Sequence, residues 1–314
     1  MPNTLAHIGA QVLITRGVIR RADLRWALLG AIVPDVPWIL GRATQTLTPA
    51  LHDHQLWAYL IAQSSLLVSL ILCAALASVA AHPGKVFGIL SLNALLHLVL
   101  DALQAKWGNG VHLFAPISWQ DWNAGWFDLE SWPTFALTAL GLAVGLWVIV
   151  RCAHSHLDLV LTRRRMLIMA LLLGLYLAVP IPLRHGPLVS DTNSVGTLSD
   201  RQNRPGRDVQ FDRVRYLAED GVHYLRTYVG EKLRIEGHML DQSSTVSARA
   251  TFVTDSTLVV HDLRRHTGRL RELLSYLGLS LVAAAWVTPA VSGWTTLVGA
   301  RSERLTADGK LTGG

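Results

Sequence analysis

The chain is short of charge and of cysteine, and each shortage excludes a class of protein. Only 16% of its 314 residues are charged, against about 25% in ordinary soluble domains, so a freely soluble cytosolic enzyme is excluded. Two cysteines cannot build a disulfide scaffold. Cys73 lies in the middle of one apolar run and Cys152 at the end of another, so no bridge between them is expected. Intrinsic disorder is excluded by the long apolar runs themselves. A basic n-region is missing ahead of the first apolar residues, where charge begins only at Arg16, so no cleavable signal peptide is expected. No internal repeat stands out.

What the chain has is apolar surface, with 51% hydrophobic residues and a mean hydropathy of +0.33. Its net charge of +6 comes from arginines beside apolar stretches, where they read as orientation signals for a bilayer. A spanning helix needs about 20 apolar residues. Five stretches meet that length: Trp57–Ala81, Lys85–Leu103, Trp132–Cys152, Met166–Leu183 and Leu273–Ala300. Leu24–Leu40 is shorter and is broken by Pro34 and Pro37. Thr4–Thr15 is too short to cross upright and is expected as a half-helix inside the bundle. Basic clusters at Arg16–Arg25, Arg151–Arg165 and Arg301–Lys310 all fall on one side in this scheme, which makes that side cytoplasmic.

Between Arg184 and Leu270 the pattern changes to period two. Thirteen Lys+Arg and eleven Asp+Glu gather there, and turn signals such as Asp220-Gly221 and Gly230-Glu231 separate runs including Val209–Phe211, Tyr224–Tyr228 and Leu233–Ile235. Ala248–Phe252 and Leu258–Val260 complete about five short strands. The expected class is therefore mainly α. It is a polytopic transmembrane helical bundle with a small extracytoplasmic β-barrel or sandwich domain, OB-like in size. The divisions are 1–183 for the membrane-embedded helical part, 184–270 for the β domain, and 271–314 for a last span and cytoplasmic tail. The nearly balanced charges of the β region and the lack of a basic-aromatic stripe argue against nucleic acid. Membrane lipids are the expected partners, and the β domain has room for a protein partner of unknown kind.

Ionisable residues inside membrane segments are costly, so each is a functional candidate. Asn93, His97 and Asp101, spaced by four, form one polar stripe on an apolar helix. A His and an Asp one turn apart can share a metal, or the Asp can orient the His; such a stripe can also join helices by hydrogen bonds. Asn3, His7 and Gln11 repeat the spacing near the start. Asp35 sits between Pro34 and Pro37, where irregular backbone is expected. His52, Asp53 and His54 head the next span, where Asp53 also suits a helix N-terminus. Imidazoles and carboxylates together are the ligand set of zinc or a related divalent ion. The metal candidates are His7, Asp35, His52, His54, His97 and Asp101, with Asp53 and Asp101 as catalytic candidates and Asp53 as general base. His112 and the tryptophans of the 104–132 connection lie nearby; the latter suit a bilayer interface.

Ala6-His7-Ile8-Gly9, Val33-Pro34-Asp35, Asp53-His54-Gln55-Leu56, Leu96-His97-Leu98-Val99-Leu100-Asp101 and Gly110…Pro116, in that order, resemble the YdjM-type family of inner-membrane metal-dependent hydrolases. The resemblance covers roughly residues 1–130. That family is similar to the zinc-dependent phospholipase C and single-strand nuclease superfamily. The resemblance implies a helical metal site for phosphoester hydrolysis in the bacterial inner membrane, carried by His7, Asp35, His54, His97 and Asp101. Pro49 stands where the family pattern has a histidine, so His52 replaces that ligand or fewer metals are held. Two other readings stay open on the residues alone: a metal- or proton-handling transporter, and a non-enzymatic membrane protein whose β domain binds a partner.

Overall fold

The computed structural model describes residues 3–48, 53–152, 158–237, 239–266 and 268–287. A helical bundle and a closed five-stranded barrel make up the molecule.

The bundle begins with α1 (Thr4–Val18), capped by the Asn3 side chain, which accepts from the Ala6 N–H. It packs along α7 (Trp132–Cys152) at backbone distance, because Gly9 and Gly141 face each other. A Cβ on Gly141 would stand 1.7 Å from the Leu5 carbonyl oxygen. Asp23 caps α2 (Leu24–Gly30). A 3-10 turn at Val33–Asp35 then leads into α3 (Val36–Leu47). Pro34 and Pro37 lie in the first turns of these two elements, where a missing N–H is tolerated. The apolar run thus reaches Leu47, seven residues past the expected end, and qualifies as a broken span of 24 residues.

The expected single span Trp57–Ala81 is two helices, α4 (His54–Gln63) and α5 (Leu66–Ala77), bent by 65°. The Ser64 and Ser65 hydroxyls donate back to the Ile61 and Ala62 carbonyls and compete with the helical ladder. The unbroken α6 (Pro83–Leu103) follows. After α7 comes α8 (Arg163–Ala178), continued by the short α9 (Pro180–Leu183) and α10 (His185–Val189) as an apolar run of 27 residues. α11 (Val195–Ser199) leads into the barrel, and α12 (Leu270–Val287) leaves it. The remainder of the expected last span lies outside the described residues. Among the described residues, five helical runs are long and apolar enough to cross a membrane, and the bent pair makes a sixth candidate. Leu146 and Val150 on α7 and Leu167 and Leu171 on α8 are exposed on the outside of the bundle.

The barrel comprises β1 (Asp208–Glu219), β2 (Val222–Arg226), β3 (Lys232–Gly237), β4 (Ser244–Phe252) and β5 (Thr257–His266), in the order β1-β2-β3-β5-β4. β1 pairs with both β2 and β4, which closes the sheet and decides barrel over sandwich. Only β3 and β5 run parallel. Asp220 and Gly221, both at positive φ, make the two-residue turn of the first hairpin. Tyr216, Leu225, Leu233, Val246, Phe252 and Leu258 fill the interior.

The barrel and the basic cluster of Arg16, Arg21, Lys85 and Arg151 occupy opposite ends of the bundle. At one end Gln45 Nε2 donates to the Tyr228 carbonyl (3.0 Å), Asn109 to Asp212 (3.2 Å), and Arg264 pairs with Asp128 just before α7. At the far end of α7, Arg16 and Arg151 lie over the Trp147 ring, and Lys85 bonds the Arg21 carbonyl.

Candidate metal centre

The end of α6 nearest the barrel carries a buried polar cluster. His97 and Asp101 come from α6, His7 from α1, and Asp35 from the 3-10 turn. The His7 and His97 rings stack in parallel, with centroids 3.9 Å apart and planes 8° from each other. His7 Nε2 is 3.4 Å from Asp101 Oδ1, and His97 Nε2 is 3.8 Å from Asp101 Oδ2 and 3.5 Å from Asp35 Oδ1.

The outward nitrogens fix which atoms face the centre. His97 Nδ1–H donates to the Ala31 carbonyl at 2.7 Å. Gln11 turns its amide nitrogen to the Asn93 carbonyl (3.1 Å) and its oxygen to His7 Nδ1–H (3.2 Å). Each ring therefore turns Nε2 inward, the arrangement that orients metal-binding histidines. Asn93 is held by Thr15 and by the Ile89 carbonyl, so one half of the polar stripe supports and the other half offers ligand atoms. Lys106, itself buried, stands 3.5 Å from Asp101 Oδ2 and leaves Oδ1 facing the histidines.

His7 Nε2, His97 Nε2, Asp101 Oδ1 and Asp35 Oδ1 are buried and make no hydrogen bond among the described residues. A buried polar atom left unsatisfied costs about 1–3 kcal/mol, so the close-set atoms of His7, His97 and Asp101 call for a common partner. Two donors each about 2.0–2.1 Å from a tetrahedral zinc stand roughly 3.3–3.4 Å apart. The 3.4 Å between His7 and Asp101 is that separation. His7, His97 and Asp101 form the mutually close set that can hold a metal ion. Asp35 reaches His97 but stands outside that set.

The other candidates lie elsewhere. Asp53 caps α4, accepting from the Leu56 N–H at 2.7 Å. His54 Nδ1 lies 3.2 Å from the Tyr228 hydroxyl at the seam with the barrel. His52 lies outside the described residues. His112 is buried and forms a second pair, with Nε2 3.1 Å from Asp121 Oδ1 and Nδ1 3.1 Å from the Trp119 carbonyl. Burial lowers the His112 pKa against the pull of Asp121, and burial raises that of Asp121.

Lys106 was not among the sequence candidates; it follows the end of α6 and turns back to Asp101. Asp101 and Lys106 line a small cavity with Trp38 and Asn109. Asp35 lines a larger, mostly apolar groove between α3 and α12, again with Trp38.

A helical bundle with spans long enough for a bilayer, joined to a closed β-barrel and enclosing a two-histidine, one-carboxylate group able to hold a metal ion, is the class that fold and site define. Compared with protein-family models, curated proteins and solved structures, the chain matches none.

Proposed function

We propose that the protein is a membrane-bound, divalent-metal-dependent hydrolase acting on a phosphoester or another ester in or near the outer leaflet of a bacterial inner membrane. The observation that carries this reading is the convergence of His7 Nε2, His97 Nε2 and Asp101 Oδ1, each turned inward by an outer partner. Two histidines and a carboxylate match catalytic zinc sites, which keep a position open. A divalent ion held there by His7, His97 and Asp101 would supply the hydrolytic chemistry. Asp35, 3.5 Å from His97 Nε2 and bordering the groove, is the carboxylate suited to take the proton or to add a ligand. Asp53 is engaged as a helix cap, so the general-base role is assigned to Asp35 instead. Lys106 adds a fixed positive charge for an oxyanion beside the centre.

Separation of the basic cluster at Arg16, Arg21, Lys85 and Arg151 from the barrel supports a cytoplasmic face at Arg16 and Arg151 and an extracytoplasmic barrel. The strand order, with its one parallel pair, supports the OB-like reading. The ordered elements around His7, Asp35, His97 and Asp101 support membership of the YdjM-type family. The break at Val33–Asp35 favours a second reading, ion passage, since interrupted helices line transport sites.

Metal content by mass spectrometry tests the main reading on detergent-purified wild type, His97→Ala and Asp101→Asn. The expected result is about one zinc per wild-type chain and loss in both variants. Equal absence of zinc, iron and manganese from all three folded proteins after resupply would overturn it. Metal retained by wild type, with no turnover of phosphodiesters or phospholipids but uptake into proteoliposomes, would favour passage.

A further inference from the structure

A cavity of about 670 Å³ separates the barrel from the bundle. Five arginines line it, against the two carboxylates of Asp212 and Glu272. They come from four elements: Arg42 from α3, Arg213 and Arg215 from β1, Arg226 from β2, and Arg271 from α12. Glu272 is engaged by Arg213 at 3.3 Å and by Arg271 at 3.7 Å. Asp212 accepts from Asn109 and Ser247. The wall is left with a positive excess in a semi-enclosed space, where the field of fixed charges is concentrated.

Arg213 is built into this wall at a cost. It occupies the left-handed region, at φ 55°, where a non-glycine residue is strained. The strain coincides with the register shift between Phe211 and Val214, a bulge of the kind that re-aims a side chain. Its side chain is nine-tenths buried, and Nη1 makes no hydrogen bond among the described residues. A buried guanidinium N–H without an acceptor, on strained backbone facing a basic cavity, points to an anion.

The cavity does not end at the barrel. Trp38, Arg42, Arg271 and Glu272 also line the groove of about 540 Å³ between α3 and α12. Ile39, Leu47, Tyr276 and Leu279 give that groove an apolar wall, between two helical runs long enough to cross a bilayer. An apolar groove on the lipid side thus runs into an arginine-lined chamber on the barrel side, with Trp38 at the junction. A soluble anion would need only the chamber. An amphiphile would use both.

We propose that this continuous pocket binds an anionic bilayer lipid, its acyl chain in the α3–α12 groove and its phosphate among Arg42, Arg213 and Arg271. The binding site stands on these residues alone. That the lipid is the ester hydrolysed rests on the reading above, since Asp35 lines the same groove.

Native mass spectrometry of the full chain in detergent tests the site, with phosphatidylglycerol and phosphatidylcholine of identical chains as probes. Wild type is expected to prefer phosphatidylglycerol by about tenfold or more, the scale of one charge-assisted hydrogen bond. Arg213→Gln and Arg42→Gln are each expected to erase most of that preference. Arg42 is exposed on α3, so its variant keeps the test decisive should the strained Arg213 site fail to fold. Ala43→Trp, filling the groove, should weaken both lipids. Arg234→Gln, on an exposed β3 position, should change nothing. Equal binding of the two lipids by wild type, or a preference intact in folded Arg42→Gln and Arg213→Gln, would overturn the proposal. Displacement of lipid by glycerol phosphate at equal concentration would also overturn it, in favour of a soluble anion. Metal content is measured on the same samples: metal lost with lipid preference retained sinks the hydrolase reading alone, and the reverse sinks the lipid site alone.

Discussion

Gln11 touches no substrate in this scheme, yet it decides whether His7 is a ligand. Its amide oxygen holds His7 Nδ1–H, and its nitrogen is anchored on the Asn93 carbonyl of α6. Gln11→Leu keeps a side chain of similar bulk and removes the acceptor, so the His7 ring loses its tautomer and orientation. Loss of such an outer partner typically costs 10–100-fold in metal affinity. Chelator competition should find that drop for Gln11→Leu, with Gln11→Glu restoring much of it because a carboxylate also accepts from Nδ1–H. A Gln11→Leu protein of wild-type affinity would show that Gln11 only joins α1 to α6. The periodicity of the sequence carried this much: Asn93, His97, Asp101, His7 and Gln11 each fall at spacing four on their helices, and they meet. It did not carry the difference between His7 and His54, because that depends on where α4 ends up. Asp53 caps that helix and His54 turns to Tyr228, whose phenol is held protonated by burial.

At the scale of elements, the site exists because α1 lies against α7 closely enough to bring His7 under α6. Gly141 permits this, since any Cβ there meets the Leu5 backbone at 1.7 Å and not a flexible side-chain tip. Gly141→Ala should therefore force α1 outward and destabilise the bundle by roughly 1–3 kcal/mol or more. Metal should be lost along with stability, since His7 travels with α1. Gly88 on α6 offers the comparison, for its Cβ would meet nothing within 4 Å. There, alanine should be neutral or stabilising by helix propensity, up to about 1 kcal/mol. Thermal unfolding in detergent, followed with metal content, distinguishes the two; equal melting of both variants would remove close packing as the reason for the geometry. The apolar runs located most helices, but not the bend at Ser64–Ser65. Hydropathy is blind to two serines folding back on their own helix, and a 20-residue window averages them away. The barrel strands were legible as period-two runs between turn residues. Their closure was not, because the pairing of β1 with β4 joins residues 28 to 43 positions apart.

At the scale of the molecule, barrel and bundle are joined by contacts between residues distant in the sequence, from Arg213 with Glu272 to Gln45 with Tyr228, which is why the arginine-lined chamber could not be read from it. Part of that seam titrates. His266 at the end of β5 is buried, with Nε2 2.8 Å from Ser247 Oγ and Nδ1 3.7 Å from Glu130 on the connection before α7. Burial lowers its pKa, and the positive charge of Arg213 adds to this; Asp212 and Glu130 pull the other way and Arg264 with Arg213. The native state thus binds a proton at His266 less readily than the unfolded chain. Below the ordinary histidine value of about 6.5 the unfolded state carries more protons, so stability must fall as the pH drops from neutral toward the native pKa. His112, lowered by burial on the same side of the bundle, acts in the same direction, so the wild-type profile is a sum. The contribution of His266 is isolated by His266→Gln, which keeps a polar group for Ser247 but cannot charge. Melting temperatures from pH 7.5 to 5.0 should decline more steeply for wild type than for His266→Gln, with the two curves converging at the acid end. Parallel curves would mean that His266 titrates alike in both states, and the barrel seam would then be insensitive to pH across this range.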